Sequence, residues 1–510
     1  MIGRGLSSSF IARPWFDVEK NSFARSPDLG HVLLLERGRA VFALASVAST
    51  IGAAVSVLGH SDRSALIFLA CSQTAGVLWL FLEGWSGERQ WLSATCVLAA
   101  AWIPLFLVAT WIYTFSPRIL DDVAPSPEPA LAILSLSLFA TIAAWLGLRG
   151  RTAIRQARTQ LVEVDPQRLD RRWLVGYLAI GLTGLVAFMT LTGGPIQYIT
   201  HLSETGSRSS GLTYVIWVAL FLKYSGLTLI GHHWASGEVR RRGEMILACA
   251  ILVLLAIFGQ RSFLALTLVQ AVLLYSLIKR PPRLRLIFPC AVLITALITF
   301  GLGTIKRYQG YRDSGRGPKV GFVNYVENRA TKEAIRAYTN NYADGVRLIA
   351  RARALVPKQV GYENGRGFMR LALQPIPRFL RPQVHVAKPL RPLLESSGGY
   401  TYAIPIPLAA YVERGLVGVV LGGVLLGAAL VMVDRKLAKD RQRLSALLVL
   451  TTLAVEIPFC LRNSLPRGVA FATLEVLGML IVAGTCLRGS AESELSTQQH
   501  SVPASISAGE

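Results

Sequence analysis

The feature that most restricts how this chain can fold is a series of long apolar runs separated by short polar segments. Many runs approach or exceed 18 residues, close to the length of helix that crosses the roughly 30 Å hydrocarbon core of a bilayer. Within that core every backbone N–H and C=O needs a partner, which a helix supplies by itself. The 510 residues are 52% hydrophobic and only 16% charged. We therefore expect an all-α polytopic membrane protein with about 12 transmembrane helices.

The apolar runs define twelve predicted spans, with ends uncertain by several residues. Their ranges are 40–59, 64–84, 91–114, 129–148, 173–193, 211–231, 245–260, 263–278, 285–303, 403–432, 444–461 and 467–487. The seventh and eighth are short, and the tight break at 259–262 permits either a hairpin or partly broken helices. Inverted-repeat transporters often carry paired broken spans in their two halves, and no clear repeat of that kind is visible.

Charge between the spans predicts their orientation. The segments 149–172, 238–244, 279–285 and 434–443 are all basic and fall on the same side as the basic N-terminus, whereas a short intervening loop such as 116–129 is nearly neutral. Because cytoplasmic loops carry the excess of Lys and Arg, we expect both termini in the cytoplasm.

This arrangement predicts five regions along the chain. Residues 1–39 form a cytoplasmic segment without a removable signal peptide, because they lack an early apolar core. Spans one to nine occupy 40–303, a large extracytoplasmic loop occupies 304–402, and spans ten to twelve occupy 403–488. The Ser/Ala/Gln-rich residues 489–510 are expected to form a disordered cytoplasmic tail.

The formal net charge of +23 does not indicate a nucleic-acid partner. Most of it lies in short loops between spans, and no zinc-finger or helix-turn-helix signature is present. The six cysteines lie in or at the ends of apolar spans without any CxxC or other metal-ligand spacing. We interpret them as small packing residues and expect no metal and no cofactor.

The predicted outer loop is strongly basic, with eighteen Lys and Arg against six acidic residues. Lys and Arg are usually depleted on that side, so an anionic substrate is the favoured explanation. The loop contains two predicted helices, 327–338 and 341–355, the second ended by Pro357. Their apolar faces fit a membrane surface, and a solvated basic face is an equally good interpretation of any single arginine.

Two motifs follow in the same loop. A glycine-rich turn at 361–368 carries Arg366, and a proline-rich strip at 375–382 carries Arg378 and Arg381, with Lys388 shortly after. Prolines fix the backbone, and arginine can chelate two oxygens of a phosphate, so the strip suits a pyrophosphate. An interfacial re-entry segment with snorkelling cations explains it equally well.

Several ionisable residues lie within the predicted spans, where charge is costly and marks either a cavity or a structural pair. They are Lys223, Arg261, Glu413, Arg414, Glu456, Arg462 and Glu475. Most fall in the outer half of their spans by the helical rise, on the side of the basic loop. Structural pairing, such as Glu456 with Arg462 or Lys223 with Glu475, is the alternative for each of them.

Short motifs in the C-terminal two-thirds resemble the bacterial oligosaccharide repeat-unit polymerases, the O-antigen and exopolysaccharide polymerase family often called Wzy. They are Gly194-Pro-Ile-Gln-Tyr198, Gly259-Gln260-Arg261-Ser262, the loop pattern Val356-Pro…Gly361…Gly365…Pro377-Arg378…Pro382…Lys388-Pro389, Tyr411-Val-Glu413-Arg414-Gly415, and Arg462. A many-span body with one large outer loop is similar to that family's architecture.

The resemblance implies an inverting, metal-independent glycosyl transfer on the outer face of a bacterial cytoplasmic (inner) membrane, with undecaprenyl-diphosphate-linked oligosaccharides as donor and acceptor. Cations would stabilise the departing diphosphate, and a base would take the acceptor proton. Glu413 is the first candidate for the base, before Glu395, His385, Glu363 and Asp344. Arg378 is the candidate catalytic cation, and the candidates for binding diphosphate or glycan are Arg261, Arg366, Arg381, Lys388 and Arg462.

Other functions use overlapping parts. A ligase that transfers a finished glycan needs the same loop and cations. A lipid-linked oligosaccharide flippase or other transporter would carry charge through the full depth of a central cavity, and a sensor or scaffold would bind polyanions without needing any single arginine. Expected partners, besides lipid-linked oligosaccharides and the membrane, are a chain-length regulator and other polysaccharide-assembly proteins.

Overall fold

The computed structural model describes residues 29–58, 62–85, 94–115, 131–144, 164–194, 212–237, 243–251, 261–278, 308, 321–327, 344–358, 361–367, 373, 406–460 and 465–488, with gaps at 166, 244–245, 249 and 441. Within these ranges the chain is mostly helical. Three helices are long and apolar enough to cross a membrane: Arg171–Leu191, Val215–Ser236 and Ile406–Lys439. The expectation of a helical membrane protein is confirmed at this level, and the count of twelve spans and the large outer loop stay predictions.

The first described helices pack side by side. Helix α1 (Leu29–Leu58) lies along α2 (Asp62–Trp85). Helix α3 (Ala94–Trp102) continues through a π-helical turn, Ile103–Leu107, into α4 (Val108–Phe115). Pro104 lies in that turn, and a proline removes one backbone donor from the helix. An apolar helix, α5, covers Leu131–Ala144.

The next helices meet through small residues. Helix α6 (Arg171–Leu191) begins where the Asp170 carboxylate accepts the amide of Arg172 at 3.0 Å. It packs against α7 (Thr213–Ala219) and α8 (Phe221–Ser236). A β-carbon at Gly181 would lie 2.6 Å from the amide nitrogen of Leu222, so glycine is what lets α6 approach α8 so closely. Helix α9 (Arg261–Ile278) then packs against α8.

The C-terminal part contains a one-turn helix α10 (Phe322–Tyr325), then α11 (Asp344–Leu355), α12 (Ile406–Lys439), α13 (Leu444–Phe459) and α14 (Leu465–Cys486). Helix α11 confirms the second helix predicted in the basic loop, and it ends before Pro357. The helix predicted at 327–338 lies outside the described residues. Helix α12 continues beyond the predicted end at residue 432, through a basic segment whose residues favour helix.

Segments that the charge pattern assigns to one side of the membrane meet at one end of the bundle. Strand β1 (Arg168–Leu169) pairs antiparallel with β2 (Leu487–Arg488), which follows α14. The amide of Asp165 donates to the carbonyl of Gln442 at 2.9 Å. The amide of Ala94, at the start of α3, donates to Asp434 Oδ1 at 2.8 Å. The alternation of the spans across the membrane and the compartment that this end faces stay predictions.

The helices bury one face and leave apolar residues on the other. Phe106, Tyr113, Phe139 and Tyr224 are fully or almost fully buried between helices. Large apolar side chains on the outer faces of the helices stay exposed, among them Leu44 and Ile51 on α1, Val175 and Val186 on α6, and Leu421 and Leu425 on α12. In water such faces would be costly, whereas in lipid they are the expected outer surface of a bundle.

Candidate active site

The glycine-rich turn of the basic loop makes a sharp reversal at Asn364 and Gly365. Both have positive φ, 51° and 92°, a conformation that glycine adopts freely and asparagine tolerates. The Asn364 side-chain amide donates to the carbonyl of Tyr362 at 3.2 Å, and the amide of Arg366 donates to the carbonyl of Glu363 at 3.2 Å. The turn is therefore fixed by its own hydrogen bonds.

Helix α12 is broken where this turn meets it. Arg414 (φ −154°, ψ 29°) and Gly415 (φ 61°, ψ −138°) are non-helical, so the carbonyls just before them lose their usual partners. The amide of Glu363 donates to the carbonyl of Val412 at 3.0 Å, and the amide of Asn364 donates to that of Glu413 at 3.2 Å. The amides of the glycine turn thus donate hydrogen bonds to the carbonyl groups that the break in α12 leaves without helical partners.

Two carboxylates meet beneath the turn. The amide of Gly365 donates to Glu413 Oε2 at 2.5 Å. A β-carbon built at Gly367 would collide with Glu413 Oε1 and lie 2.8 Å from Glu363 Oε2. Glu413 is only 5% exposed and Glu363 only 7%. Glycine at 367 therefore leaves the space in which both carboxylates face the turn.

Exposed cations flank these shielded acids. Arg366 in the turn and Arg414 at the helix break are both exposed. We call Glu363, Arg366, Glu413 and Arg414 the rim site. It lies roughly 30 Å along α12 from Asp434 at 1.5 Å per residue, close to the thickness of a bilayer hydrocarbon core. An acid protected from bulk solvent beside accessible guanidinium groups can act as a base while the arginines hold an anion.

Helix α11 anchors the basic loop to the bundle next to the rim site. Arg353 stacks over the ring of Tyr411 with its guanidinium carbon 4.8 Å from the centroid, and its Nη1 donates to Ser135 Oγ at 3.3 Å. The Tyr411 hydroxyl donates to the carbonyl of Val356 at 3.3 Å. Val346 and Ile349 are buried beneath α11, so this helix packs against protein.

The structure brings together some of the residues that the sequence singled out. Glu413, Glu363 and Arg366 meet at the rim site, and Asp344 begins α11. The backbone of Arg261 begins α9 as predicted, and its side chain lies outside the described residues. The remaining candidates, also outside them, are Arg378, Arg381, His385, Lys388, Glu395 and Arg462. Arg353 was not among the residues singled out from the sequence. The available signal was its position one turn after Ile349, on the same face of the predicted helix.

A second group of charges lies between α8, α13 and α14. Lys223 Nζ is 2.7 Å from Glu475 Oε2 and 3.9 Å from Glu456 Oε1. Their exposures are 0%, 1% and 3% for Lys223, Glu475 and Glu456 respectively. We call these three residues the buried cluster. The predicted pairing of Lys223 with Glu475 is confirmed, and that of Glu456 with Arg462 lies outside the described residues.

No family model, no curated protein and no solved structure matches the chain. In the part of the chain that the structure describes, no group of three or more His, Cys, Asp and Glu residues is placed to hold a metal ion.

Proposed function

We propose that the protein is a membrane glycosyltransferase that joins lipid-diphosphate-linked oligosaccharide units outside the cytoplasm, as a repeat-unit polymerase does. The observation that supports this best is the contact of the glycine turn with the break in α12. It provides two shielded carboxylates and two exposed arginines at one end of the bundle, where a turn of the strongly basic loop meets α12. A hydroxyl acceptor needs a base, and a departing diphosphate needs cations.

In the proposed reaction the acceptor hydroxyl oxygen bonds to the anomeric carbon of the donor's reducing-end sugar. The bond from that carbon to the phosphate oxygen breaks, and the lipid diphosphate leaves with the electron pair. Glu413 takes the hydroxyl proton. The amide of Gly365 holds Glu413 Oε2, which orients Oε1 as the proton acceptor.

Cations contribute by stabilising the charge of the leaving diphosphate, which fixed donors do without reorganisation. Arg366 and Arg414 are the rim-site residues that we propose for this role. Arg378, Arg381 and Lys388 of the proline-rich strip, with Arg261 and Arg462 at the ends of spans, complete the proposed set. The diphosphate leaves as an anion that arginine can chelate, so the proposal needs no metal ion.

The test replaces Glu413 with glutamine, which keeps the shape of the side chain and removes its basicity. We expect polymer synthesis to fall by about 10²- to 10⁴-fold, the usual contribution of a general base. The matched control is Glu327→Gln, because Glu327 is an exposed acid of the basic loop and lies outside the rim site. Normal polymer in a Glu413→Gln strain with wild-type protein levels would remove Glu413 from the reaction.

The class of reaction is tested by separating glycans and lipid-linked intermediates from cells that lack the protein. A single lipid-linked repeat on the outer leaflet, without long polymer, is the result expected of a polymerase. Long lipid-linked polymer that never reaches its acceptor would identify a ligase. An unchanged profile would exclude glycan assembly altogether.

A lipid-linked oligosaccharide transporter is the second candidate, and one observation favours it. The buried cluster puts charges deep between α8, α13 and α14, where transporters place coupling sites. Repeats trapped on the inner leaflet of the deleted strain would establish this function in place of the first.

A further inference from the structure

The buried cluster contains one cation for two carboxylates. Glu475 Oε2 is within hydrogen-bonding distance of Lys223 Nζ, whereas Glu456 Oε1 is 3.9 Å from it. All three side chains are at least 96% buried. Among the residues whose side chains the structure describes, Lys223 is the one cation that pairs with these carboxylates. Within that set, full ionisation would leave one negative charge without compensation, which is very costly in a buried medium.

Polar atoms around the cluster point to a ligand. Glu475 Oε1 and the Tyr224 hydroxyl are fully buried, and neither makes a hydrogen bond of ordinary geometry, although the hydroxyl lies close to the Glu475 carboxylate. Tyr224 faces Glu475 and Glu456, and its ring packs directly on Gly478, one turn after Glu475. Leaving a buried carboxylate oxygen without a donor is costly, and a proton bound at the cluster lowers that cost because it removes one negative charge and supplies a new donor.

The titratable groups that face the cluster are few. Helix α8 contributes Lys223 and Tyr224, α13 contributes Glu456, the residue after α13 is Cys460, and α14 contributes Glu475. Helices α3, α6, α7, α9 and α12 also pack against α8, α13 or α14. They contribute no charged side chain at this level among the residues whose side chains are described. The cluster lies roughly 16–20 Å from the end of the bundle where β1 and β2 pair, by the helical rise.

We propose that Lys223, Glu456 and Glu475 form a proton-binding site that holds one exchangeable proton beside the lysine. The site holds the proton on Glu456, the carboxylate farther from the ammonium group, and releases it when Glu456 moves towards Lys223. No other bond changes, so the ligand is a proton alone. This inference does not depend on the glycosyltransferase proposal, and it gives the protein a means of sensing or using pH.

The test is infrared spectroscopy of the full-length protein in an ester-free detergent at neutral pH. A protonated carboxylic acid has a carbonyl stretch that is separate from the carboxylate bands and shifts in D₂O. We expect this band in the wild type. We expect it to disappear in Glu456→Gln, which removes the acid, and in Glu475→Gln, which leaves Glu456 to ionise beside Lys223. The matched control Glu413→Gln should keep the band.

Loss of the fold would also remove the band, so each variant is checked for a monodisperse, cooperatively melting protein. Lys223→Met, measured on the folded fraction that size-exclusion chromatography isolates, provides a signal that misfolding cannot imitate. Two acids without a cation should both hold a proton there and about double the band. Absence of the band in the wild type would overturn the proposal. A band that survives in Glu456→Gln, or is lost in Glu413→Gln, would overturn it by assigning the proton to another acid.

Discussion

The rim site and the buried cluster hold charged groups in opposite ways. At the rim site, backbone amides of the glycine turn hold Glu413 and the broken end of α12, and Arg366 and Arg414 remain exposed. In the buried cluster three ionisable side chains face one another, with Lys223 Nζ 2.7 Å from Glu475 and 3.9 Å from Glu456, on unbroken stretches of α8, α13 and α14. The first arrangement leaves charge available to a ligand, and the second uses it internally.

An ionisable residue in a membrane protein can therefore have one of two roles, in packing or in binding a ligand. A charge that is compensated by neighbouring side chains stabilises the packing only while all members are present. A charge that is held by the backbone of a turn, at the end of a helix, can change partners without loss of the fold. We therefore expect substitutions in the buried cluster to act mainly on stability, and those at the rim site to act mainly on activity.

The largest effect is expected from Lys223→Met. It removes the cation that pairs with Glu475, so both acids must be buried without it, and breaking a buried ion pair in this way costs about 3–5 kcal/mol. We expect a large fall in folded, monodisperse protein and in melting temperature, measured by size-exclusion chromatography and thermal unfolding in detergent. The double variant Lys223→Met/Glu475→Gln removes the partner as well and should recover most of the loss. Equal destabilisation of the single and double variants would show that Lys223 acts through packing alone.

A smaller loss of stability is expected from Gly478→Ala. The added methyl group would collide with the ring of Tyr224, which is fully buried and has nowhere to move, and overpacking of this kind costs about 1–3 kcal/mol. Gly484→Ala in the same helix is the matched control, because its β-carbon would meet nothing within 4 Å. There the better helix propensity of alanine should leave stability unchanged or higher. Similar melting temperatures for both variants would contradict the close packing of α8 on α14.

Sequence periodicity could predict the helical membrane architecture and α11, whereas the alternation of the spans across the membrane stays a prediction. The opposite charges of Lys223 and Glu475 within predicted spans were enough to suggest their pairing. The membership of Glu456 in the buried cluster could not be predicted, because Arg462 was a candidate partner for it that lies nearer in the sequence. The twelve-span count extends into segments such as 279–307 that lie outside the described residues, so it stays a prediction.

Most residues of the rim site could be recognised from the sequence, but the contact that brings them together could not. Glu413, Glu363 and Arg366 were each recognisable as chemistry-bearing residues near one membrane boundary. Their meeting depends on the backbone angles of Asn364, Gly365, Arg414 and Gly415. Asn and Gly indicate a turn, but nothing in the apolar run of α12 indicates that the helix breaks after Glu413. The contact joins segments almost fifty residues apart, which local patterns do not encode.

The finest comparison uses two glycines of the same turn. An alanine at Gly367 would push its methyl group against the carboxylates of Glu413 and Glu363, whereas a β-carbon at Gly361 would meet nothing within 4 Å. Because carboxylate ends can move aside, we expect Gly367→Ala to change the free energy of unfolding by less than about 1 kcal/mol. The displaced Glu413 carboxylate would lose its hydrogen bond from Gly365, and a misplacement of about 1 Å in a catalytic group lowers activity roughly 10²-fold. Gly361→Ala should leave both properties unchanged.

Melting temperature and polymer yield, measured on both glycine variants in the same strain, separate the possible explanations. A loss of polymer in Gly367→Ala alone, with the melting temperature preserved in both, is the expected result and assigns the position of Glu413 to activity. Equal polymer from both variants would mean that the close approach of the turn to α12 has no role in the reaction. A large fall in melting temperature for Gly367→Ala would instead make the rim site a structural contact like the buried cluster, because its carboxylates would then be held too firmly to move.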